Sequence, residues 1–443
     1  MPGYMFNKYS GYIDVFPRIL RVGCENREIT IHARHAHVRK VLDSVQEIRV
    51  FRVDAPVAGF RGWIADTPPS PFRRLDNGDI AVSLVTPDEG EYVLYAGQKQ
   101  ADGSFTEIAT FSVYALRDDL QRLLPLKGDF HIHSNCSDGQ ENPEYVAATC
   151  RRHGFDFMAL TDHRKYEPSL AAIKAMEDFG CDMLCCSGEE VHLPDNPVHI
   201  INFGAKASVN MLAYSDEANY RAEVAKYEKG VPERYDALTR FQVAASEWAF
   251  DRIRDAGGIA TFCHPFWRPW HHTYIGEDVI DLLLEHNRFD AMEVIGGYYR
   301  PDTECNMLAV SRWQEEQAKG KVIPVVGVSD SHGSDIDLAG WYYTIVFAED
   351  IDFESIAKAI RANRCVAVHD IPETFPIVVG PFRLTKLVYF LLREFYPEHH
   401  ELCRIEGDIM RRALAGEEPG AKEEMARRHG TVRSFMNSCI ETC

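Results

Sequence analysis

Six short polar clusters, each set at the edge of an apolar run, constrain this chain more than anything else in it. Between Asp129 and His332 it reads GDFHIHSNCSDG, LTDHR, SGEEVH, VHIINFG, FCHPFW and VSDSH. Strands that repeatedly end in His, Asp or Glu imply an α/β architecture whose strand carboxyl ends share a rim, where such folds build their sites. In DFHIH the period-2 alternation of strand side chains puts His131 and His133 on one side. Two imidazoles on one face, beside a loop of Ser, Asn and Gly, can chelate a cation. Ser137-Asp138-Gly139 is a turn sequence able to fold the Asp138 carboxylate back to the same place.

Five further runs repeat the pattern. FDFMALTDH ends in Asp162 and His163, DMLCCSGEEV in Glu189 and Glu190, and HIINFG begins with His199; GGIATFCHP reaches His264, and VIPVVGVSDSH ends with Asp330 and His332. Singly, each has a plainer explanation: Thr161-Asp162 capping a helix, a solvated Glu189, a hydrogen-bonded core His199 or His264. Independent accidents would not set most of these groups beyond successive buried strands. Imidazole with carboxylate and no thiolate suits zinc, manganese or iron, without choosing among them. A closed structural zinc site takes four ligands, so a set of this size implies a cluster.

The ordered combination HIHSNCSDG, TDH, GEE with a later His, CHP and DSH resembles the motif series of the polymerase and histidinol phosphatase (PHP) superfamily of metal-dependent phosphoesterases. The resemblance covers roughly residues 126–370. It implies a distorted seven-stranded (β/α) barrel holding two or three divalent ions. By motif position, His131, His133, Glu190 and Asp330 would hold one ion; Glu190 would bridge to a second held by His199 and His264. Asp138, His163 and His332 would hold the third. The family's Gly-x-Glu spacing from Gly188 selects Glu190 over Glu189, and Asp138 stands where some members carry His.

Neighbouring metals lower the pKa of a shared water and clamp the attacking and leaving oxygens of an in-line displacement. Phosphoester hydrolysis by a metal-bridged hydroxide is therefore the expected chemistry, with Glu190 and Asp330 at its centre. Developing negative charge calls for cations, and Arg164, Lys165, Arg268 and Arg300 lie beside or just beyond the motif strands. Arg suits bidentate phosphate contacts; Arg164 and Arg268 adjoin TDH and FCHPFW and rank first. The plain alternative for each is a surface charge or a carboxylate partner. Two other readings use the same residues: hydrolysis of an amide or carbamate, or a non-catalytic metal-binding regulatory module.

The 67 Asp and Glu against 48 Lys and Arg give a net charge of −19. That balance disfavours long-range attraction to polyanions, so the expected partner is a small-molecule phosphoester of the nucleotide or sugar phosphate class, with no duplex nucleic acid. Twelve scattered cysteines, many in apolar runs, suit a reducing compartment. The first twenty residues lack a basic region followed by an apolar stretch, and no run of about 18 apolar residues occurs. A cytoplasmic protein without membrane association is expected.

Residues 1–125 read as a small β-sandwich-like domain, from EITIHARH, EIRVFRV, DIAVSLVTP, GEYVLYAG and TEIATFSVYAL. His32, His35 and His37 lack a matching carboxylate series and read as exposed strand histidines. Residues 126–375 form the hydrolase barrel, with seven strand candidates: DFHIH, FDFMAL, DMLCCSG, HIINFG, IATFCH, AMEVIGG and IPVVGVS. Residues 205–257 exceed ordinary loop length and read as a helical insertion over the metal rim. Residues 376–443 read as a C-terminal helical extension broken at Pro397 and GEEPG, with Leu387, Phe390, Leu391 and Phe395 on one buried face that could join a second subunit. His399, His400, Cys403, Cys439 and Cys443 in this tail fit no zinc-finger spacing.

Overall fold

The computed structural model describes residues 12–24, 27–56, 67–297, 303–334 and 338–441. The chain divides into two compact units: Met1–Leu123 with Tyr389–Pro397 and Arg433–Cys443, and Leu124–Val388 with Glu398–Val432. The C-terminal residues thus divide between the units rather than forming one of their own.

In the first unit the strands are Ile13–Phe16 (β1), Ile19–Arg21 (β2), Arg27–Ala33 (β3), Glu47–Arg52 (β4), Phe72–Arg74 (β5), Ile80–Leu84 (β6), Gly90–Lys99 (β7) and Phe105–Leu116 (β8). They form two four-stranded sheets, β1-β3-β6-β5 and β2-β8-β7-β4. Alternate residues of β3 and β7 are buried, as a half-covered strand requires, and Ile29, Ile31, Val82, Leu94 and Val113 meet in one core. The end of the chain closes this unit: Ile440 bridges to Ile19, and Glu441 pairs with Arg27 at 2.7 Å. The histidines of ITIHARHAH do not share one strand. His32 faces Asp79 at 2.9 Å, while His35 and His37 lie past the end of β3 and are exposed.

In the second unit the strands are Leu124–Asp129 (β9), Phe157–Ala159 (β10), Leu184–Cys186 (β11), Gly188–His192 (β12), His199–Phe203 (β13), Ile259–Phe262 (β14), Ala291–Gly296 (β15), Val325–Val328 (β16), Tyr342–Ala348 (β17), Cys365–His369 (β18) and Ile377–Val379 (β19). They form a mixed α/β fold of two sheets, ordered β11-β10-β9-β17-β18-β19 and β12-β13-β14-β15-β16. The expected distorted seven-stranded barrel is corrected here: the described residues contain no closed barrel. The physical reason is β17, an apolar run outside the seven strand candidates, which pairs antiparallel with β9 and takes the edge a barrel would have used. Between β16 and β17 a side chain stands in for the ladder, with Gly327 N donating to Thr344 Oγ1 at 3.1 Å and Thr344 Oγ1 donating to Gly327 O at 2.7 Å. Gly327 is required there, because a Cβ would lie 2.6 Å from Tyr343 O.

Two single-residue bridges join the sheets, Ile132 to Ser331 and His163 to Glu190. Both lie among the clusters that ended the apolar runs. Helices follow from local signals. Asn142 caps Pro143–Arg152 by accepting from Tyr145 N at 2.9 Å, and Gly180 ends Glu167–Phe179 in the left-handed region at φ 64°. Residues 205–257 contain helices Val209–Ser215, Glu217–Glu228 and Ala237–Asp255, whose Tyr220, Trp248 and Phe250 are core. The chain breaks between helices Phe382–Glu394 and Tyr396–Leu414, so Pro397 sits in a first turn, where its missing N–H costs nothing.

Helix Tyr396–Leu414 brings His399 Nε2 within 2.8 Å of Asp156 Oδ1, both buried. Cys403 lies close enough for the three to resemble a metal set. However, the Arg151 guanidinium is 3.8 Å from the same carboxylate, so the counter-charge is already present. Burial pulls the His399 imidazole down, but the Asp156 carboxylate outweighs it and raises the group from 6.5 to about 10. A group raised on folding contributes stability that is complete below its unfolded value and is lost as pH climbs through its folded one. The stability advantage of wild type over His399→Gln in urea unfolding should therefore shrink between pH 6.5 and 10; a constant difference would contradict a charged His399.

Candidate metal centre

β9 ends at Asp129, and His131 and His133 continue beyond it as an extended segment. Backbone bonds to the chain after β16 hold them there: Asp330 N donates to His131 O at 2.8 Å and His133 N to Ser331 O at 2.9 Å. Asp330 and Arg164 adopt left-handed backbone, φ 50° and 57°, and His264 lies at φ 22°. Such conformations cost energy and persist where the surrounding structure imposes them. Asp162 is not a ligand candidate. Its buried carboxylate accepts from Ser134 N and Oγ at 2.8 and 2.7 Å, organising the loop that carries Asp138.

Glu190 is fully buried at the middle of the group. Its Oε1 lies 2.8 Å from His199 Nδ1, 3.5 Å from His264 Nε2 and 3.6 Å from His131 Nε2. Its Oε2 lies 2.6 Å from His163 Nδ1, 3.3 Å from His192 Nε2 and 3.6 Å from His133 Nε2. Despite these separations, both oxygens, His131 Nε2 and His199 Nδ1 have no hydrogen-bond partner among the described residues. Buried polar atoms left so are costly; here Glu190 and His131 belong, with His133, to a group whose ligand atoms lie within 4.8 Å of one another, an arrangement a cation would satisfy. Asp330 Oδ1 adds a carboxylate oxygen 2.9 Å from His133 Nε2 and 3.1 Å from His131 Nε2. Asp138 reaches His163 Nε2 at 3.3 Å and His332 Nε2 at 3.4 Å.

All nine residues carrying the motif series therefore lie together, and Glu190, not Glu189, faces the imidazoles. Glu189 points the other way, accepting from Ser208 Oγ at 2.7 Å and Asn210 Nδ2 at 2.9 Å, and so ties the insertion to β12. Groups whose ligand atoms lie within 4.8 Å of one another include His131, His133 and Glu190; His131, His264 and Asp330; and His133, Asp138, His163 and His332.

Electrostatics favours ionised carboxylates. Burial alone would raise Glu190 and Asp330, but neighbouring histidines, His199 and His131 chief among them, hold both well below the usual carboxylate range. Burial pushes His133 down and His199 down to about 4, whereas carboxylates outweigh burial at His131, His163 and His264 and raise all three, so metal binding would displace protons from part of the set.

Sequence reasoning missed two members. His192 stands two residues after Glu190 on β12, so the alternation that paired His131 with His133 places it on the same face; its Nε2 is 2.9 Å from His163 Nδ1. Glu293, within AMEVIGG, carried no signal beyond an acidic residue in an apolar run. Its buried carboxylate lies 3.2 Å from His131 Nδ1 and fixes that ring. Outer partners of this kind change metal affinity by about 10–100-fold, so Glu293→Gln should weaken metal binding by that factor in a competition titration. Unchanged affinity would remove Glu293 from the site.

The cations separate clearly. Arg164 is exposed and its guanidinium has no ion pair among the described residues, while its N–H donates to Glu190 O at 3.0 Å. Arg268 pairs with Glu304 at 3.4 Å, the plain alternative named for it. The Lys165 ammonium bonds Cys136 O, and Arg300 lies outside the described residues.

No family model matches the chain. Over 48 residues it is 42% identical to the DNA polymerase/3'-5' exonuclease PolX of Bacillus subtilis, which covers 11% of this chain and 8% of that protein. Among solved structures, one neighbour is a two-domain protein from Bacteroides vulgatus containing a predicted PHP-like metal-dependent phosphoesterase. It is 20% identical, with 62% of this chain and 71% of that chain covered and a TM-score of 0.43. Another is Endonuclease Q with a 27-mer duplex carrying an abasic lesion at its active site, at 16% identity, 54% and 56% coverage and a TM-score of 0.31. The PHP resemblance of the motif series thus recurs in the description of the Bacteroides vulgatus protein. Against the expectation of no duplex nucleic acid stands this Endonuclease Q neighbour, whose own substrate is a duplex. A net charge of −19 is a sum over the whole chain, whereas the potential at such a site is set by local groups and any bound cations.

Among the described residues no helix is long and apolar enough to cross a membrane.

Proposed function

We propose that this chain is a metal-dependent phosphoesterase acting on a small phosphoester of the nucleotide or sugar phosphate class. The observation carrying this reading is the buried Glu190 carboxylate, whose unpartnered oxygens converge with six imidazoles. His131, His133, Glu190 and Asp330 would hold one ion, Glu190 with His199 and His264 a second, and Asp138, His163 and His332 a third. Bound divalent ions of the zinc, manganese or iron type would supply Lewis acidity and make water a stronger acid.

The chain's own groups supply the rest. Ionised Glu190 and Asp330 offset the cations' charge at the centre, and Glu293 holds the His131 ring in one orientation. Arg164, without an ion pair among the described residues and one residue beyond His163, is the group best placed to neutralise a phosphoryl oxygen; Arg268 would first have to leave Glu304. The free buried thiols Cys150, Cys186, Cys263, Cys365 and Cys403 suit a reducing, cytoplasmic compartment.

The test is hydrolysis after chelation and readdition of manganese or zinc, read as inorganic phosphate from monoesters and as the freed alcohol or nucleotide from diesters and DNA ends. The panel covers phosphomonoesters, phosphodiesters and single-stranded and duplex DNA ends. Restored release on at least one phosphoester is the expected result, and silence across the panel would overturn the reading.

A further inference from the structure

Beside the His199 edge of the metal centre stands a pair of aromatic rings that the proposed chemistry does not use. The chain leaves β14 at Phe262, turns through His264 and enters FWRPWHHTY. Phe266 packs against the hydrophobic core, whereas Trp267 is only partly buried and Tyr274 is 40% exposed. Backbone bonds fix both: Trp267 N donates to His264 O at 3.1 Å, and Tyr274 N to Trp267 O at 2.9 Å. The intervening loop is thereby pinched so that the two rings stand together, their centroids 4.8 Å apart and their planes 57° to each other.

This wedge opens beside ligand candidates. The Trp267 ring lies 5.7 Å from that of His264 and 6.2 Å from that of His199, and the Tyr274 ring 5.5 Å from that of His199. His199 in turn stacks on His192 at 3.8 Å, so the imidazole and aromatic rings form one continuous surface. The Trp267 indole N–H and the Tyr274 hydroxyl make no hydrogen bond among the described residues. Both polar ends are therefore available to a ligand. Exposed aromatics held rigidly beside a reactive centre bind flat rings at little entropic cost.

We propose that Trp267 and Tyr274 form a stacking subsite that selects phosphoesters whose alcohol half carries a flat unsaturated ring, a nucleobase above all. This rests on the phosphoesterase reading and narrows its substrate class. The ring seats against Trp267, its edge within reach of the Tyr274 hydroxyl, while the phosphoryl group faces the cluster around Glu190. A free nucleotide and the end of a nucleic acid strand share this chemistry.

The experiment compares adenosine monophosphate with glycerol phosphate on the metal-loaded full chain. Base–aromatic stacking is worth about a 5- to 100-fold change per base. Trp267→Ala should lower the ratio of kcat/KM for the nucleotide to kcat/KM for glycerol phosphate by a factor in that range, largely through KM. Trp267→Phe should restore most of the ratio. A short single-stranded oligonucleotide run alongside assigns the source: a larger loss there than on the mononucleotide points to a strand end, and the reverse to a free nucleotide. A ratio unchanged in Trp267→Ala and Tyr274→Ala overturns the proposal. If no phosphoester is cleaved, the phosphoesterase reading fails while the subsite is still decided by binding. Adenosine, which has no phosphate, should quench tryptophan fluorescence in wild type but not in Trp267→Phe, with ribose inert; equal quenching in both proteins overturns the subsite on its own.

Discussion

Replacing Glu190 with Gln is expected to cut metal affinity by at least about 100-fold, the upper end of what is lost when only an outer partner of a metal ligand is removed, and to take phosphate release to background. The variant keeps the shape of the side chain and removes its charge. Glu190 is fully buried and each of its two oxygens faces three histidines, His199, His264 and His131 on one side and His163, His192 and His133 on the other. Loss of that charge leaves the imidazoles with Asp330, Asp138 and the Glu293 carboxylate behind His131. Competition with a chromogenic chelator measures the affinity, and far-ultraviolet circular dichroism checks that the fold survives. A folded Glu190→Gln protein that holds metal as wild type does would mean that Glu190 is not the bridge. Glu189→Gln should behave differently: its carboxylate is committed to Ser208 and Asn210, so the variant loses stability before it loses metal.

The largest effect on stability is expected away from the metal centre. Arg151 and Glu406 are each 1% exposed and paired at 2.8 Å, and Arg151 also donates to Phe155 O at 3.0 Å. Glu406 lies on helix Tyr396–Leu414 and Arg151 on helix Pro143–Arg152, both within the second unit. Removing one partner of a buried pair strands the other charge and costs about 3–5 kcal/mol, whereas replacing both by apolar residues is often close to neutral. Glu406→Ala should therefore lower the unfolding free energy of this unit by about 3–5 kcal/mol in urea denaturation, and the double replacement Arg151→Met with Glu406→Leu should recover most of the loss. A double variant as damaged as the single one would show that hydrogen bonds to the backbone, not the pair, carry the stability.

What was legible in the sequence follows from which physics is local. The strand ends were legible because apolar runs and polar stops are written in consecutive residues, and the alternation of His131 with His133 survives even though β9 stops at Asp129. The same alternation was available for Glu190 and His192 and was not applied, so one imidazole of the group was missed. Glu293 was not legible, because its role depends on a ring 162 positions away in the chain. Closure of the barrel failed for a related reason: which edge of β9 is free depends on β17, and pairing partners are not encoded in either strand alone. In the C-terminal segment the apolar face Leu387, Phe390, Leu391 and Phe395 was visible and is buried. The buried polar set of Arg151, Asp156, His399 and Glu406 was not, since each member reads as an ordinary charged residue until packing brings them together. Net charge is a poor guide to nucleic acid, because it averages over the whole surface rather than the site.

The most direct test of the central claim is elemental analysis of the purified protein by inductively coupled plasma mass spectrometry, run beside Glu190→Gln and His133→Ala. About two to three divalent ions per chain are expected in wild type, as a multi-metal hydrolase requires, and fewer in each variant. Fewer than one ion per chain in wild type, unchanged after incubation with manganese or zinc, would contradict that claim.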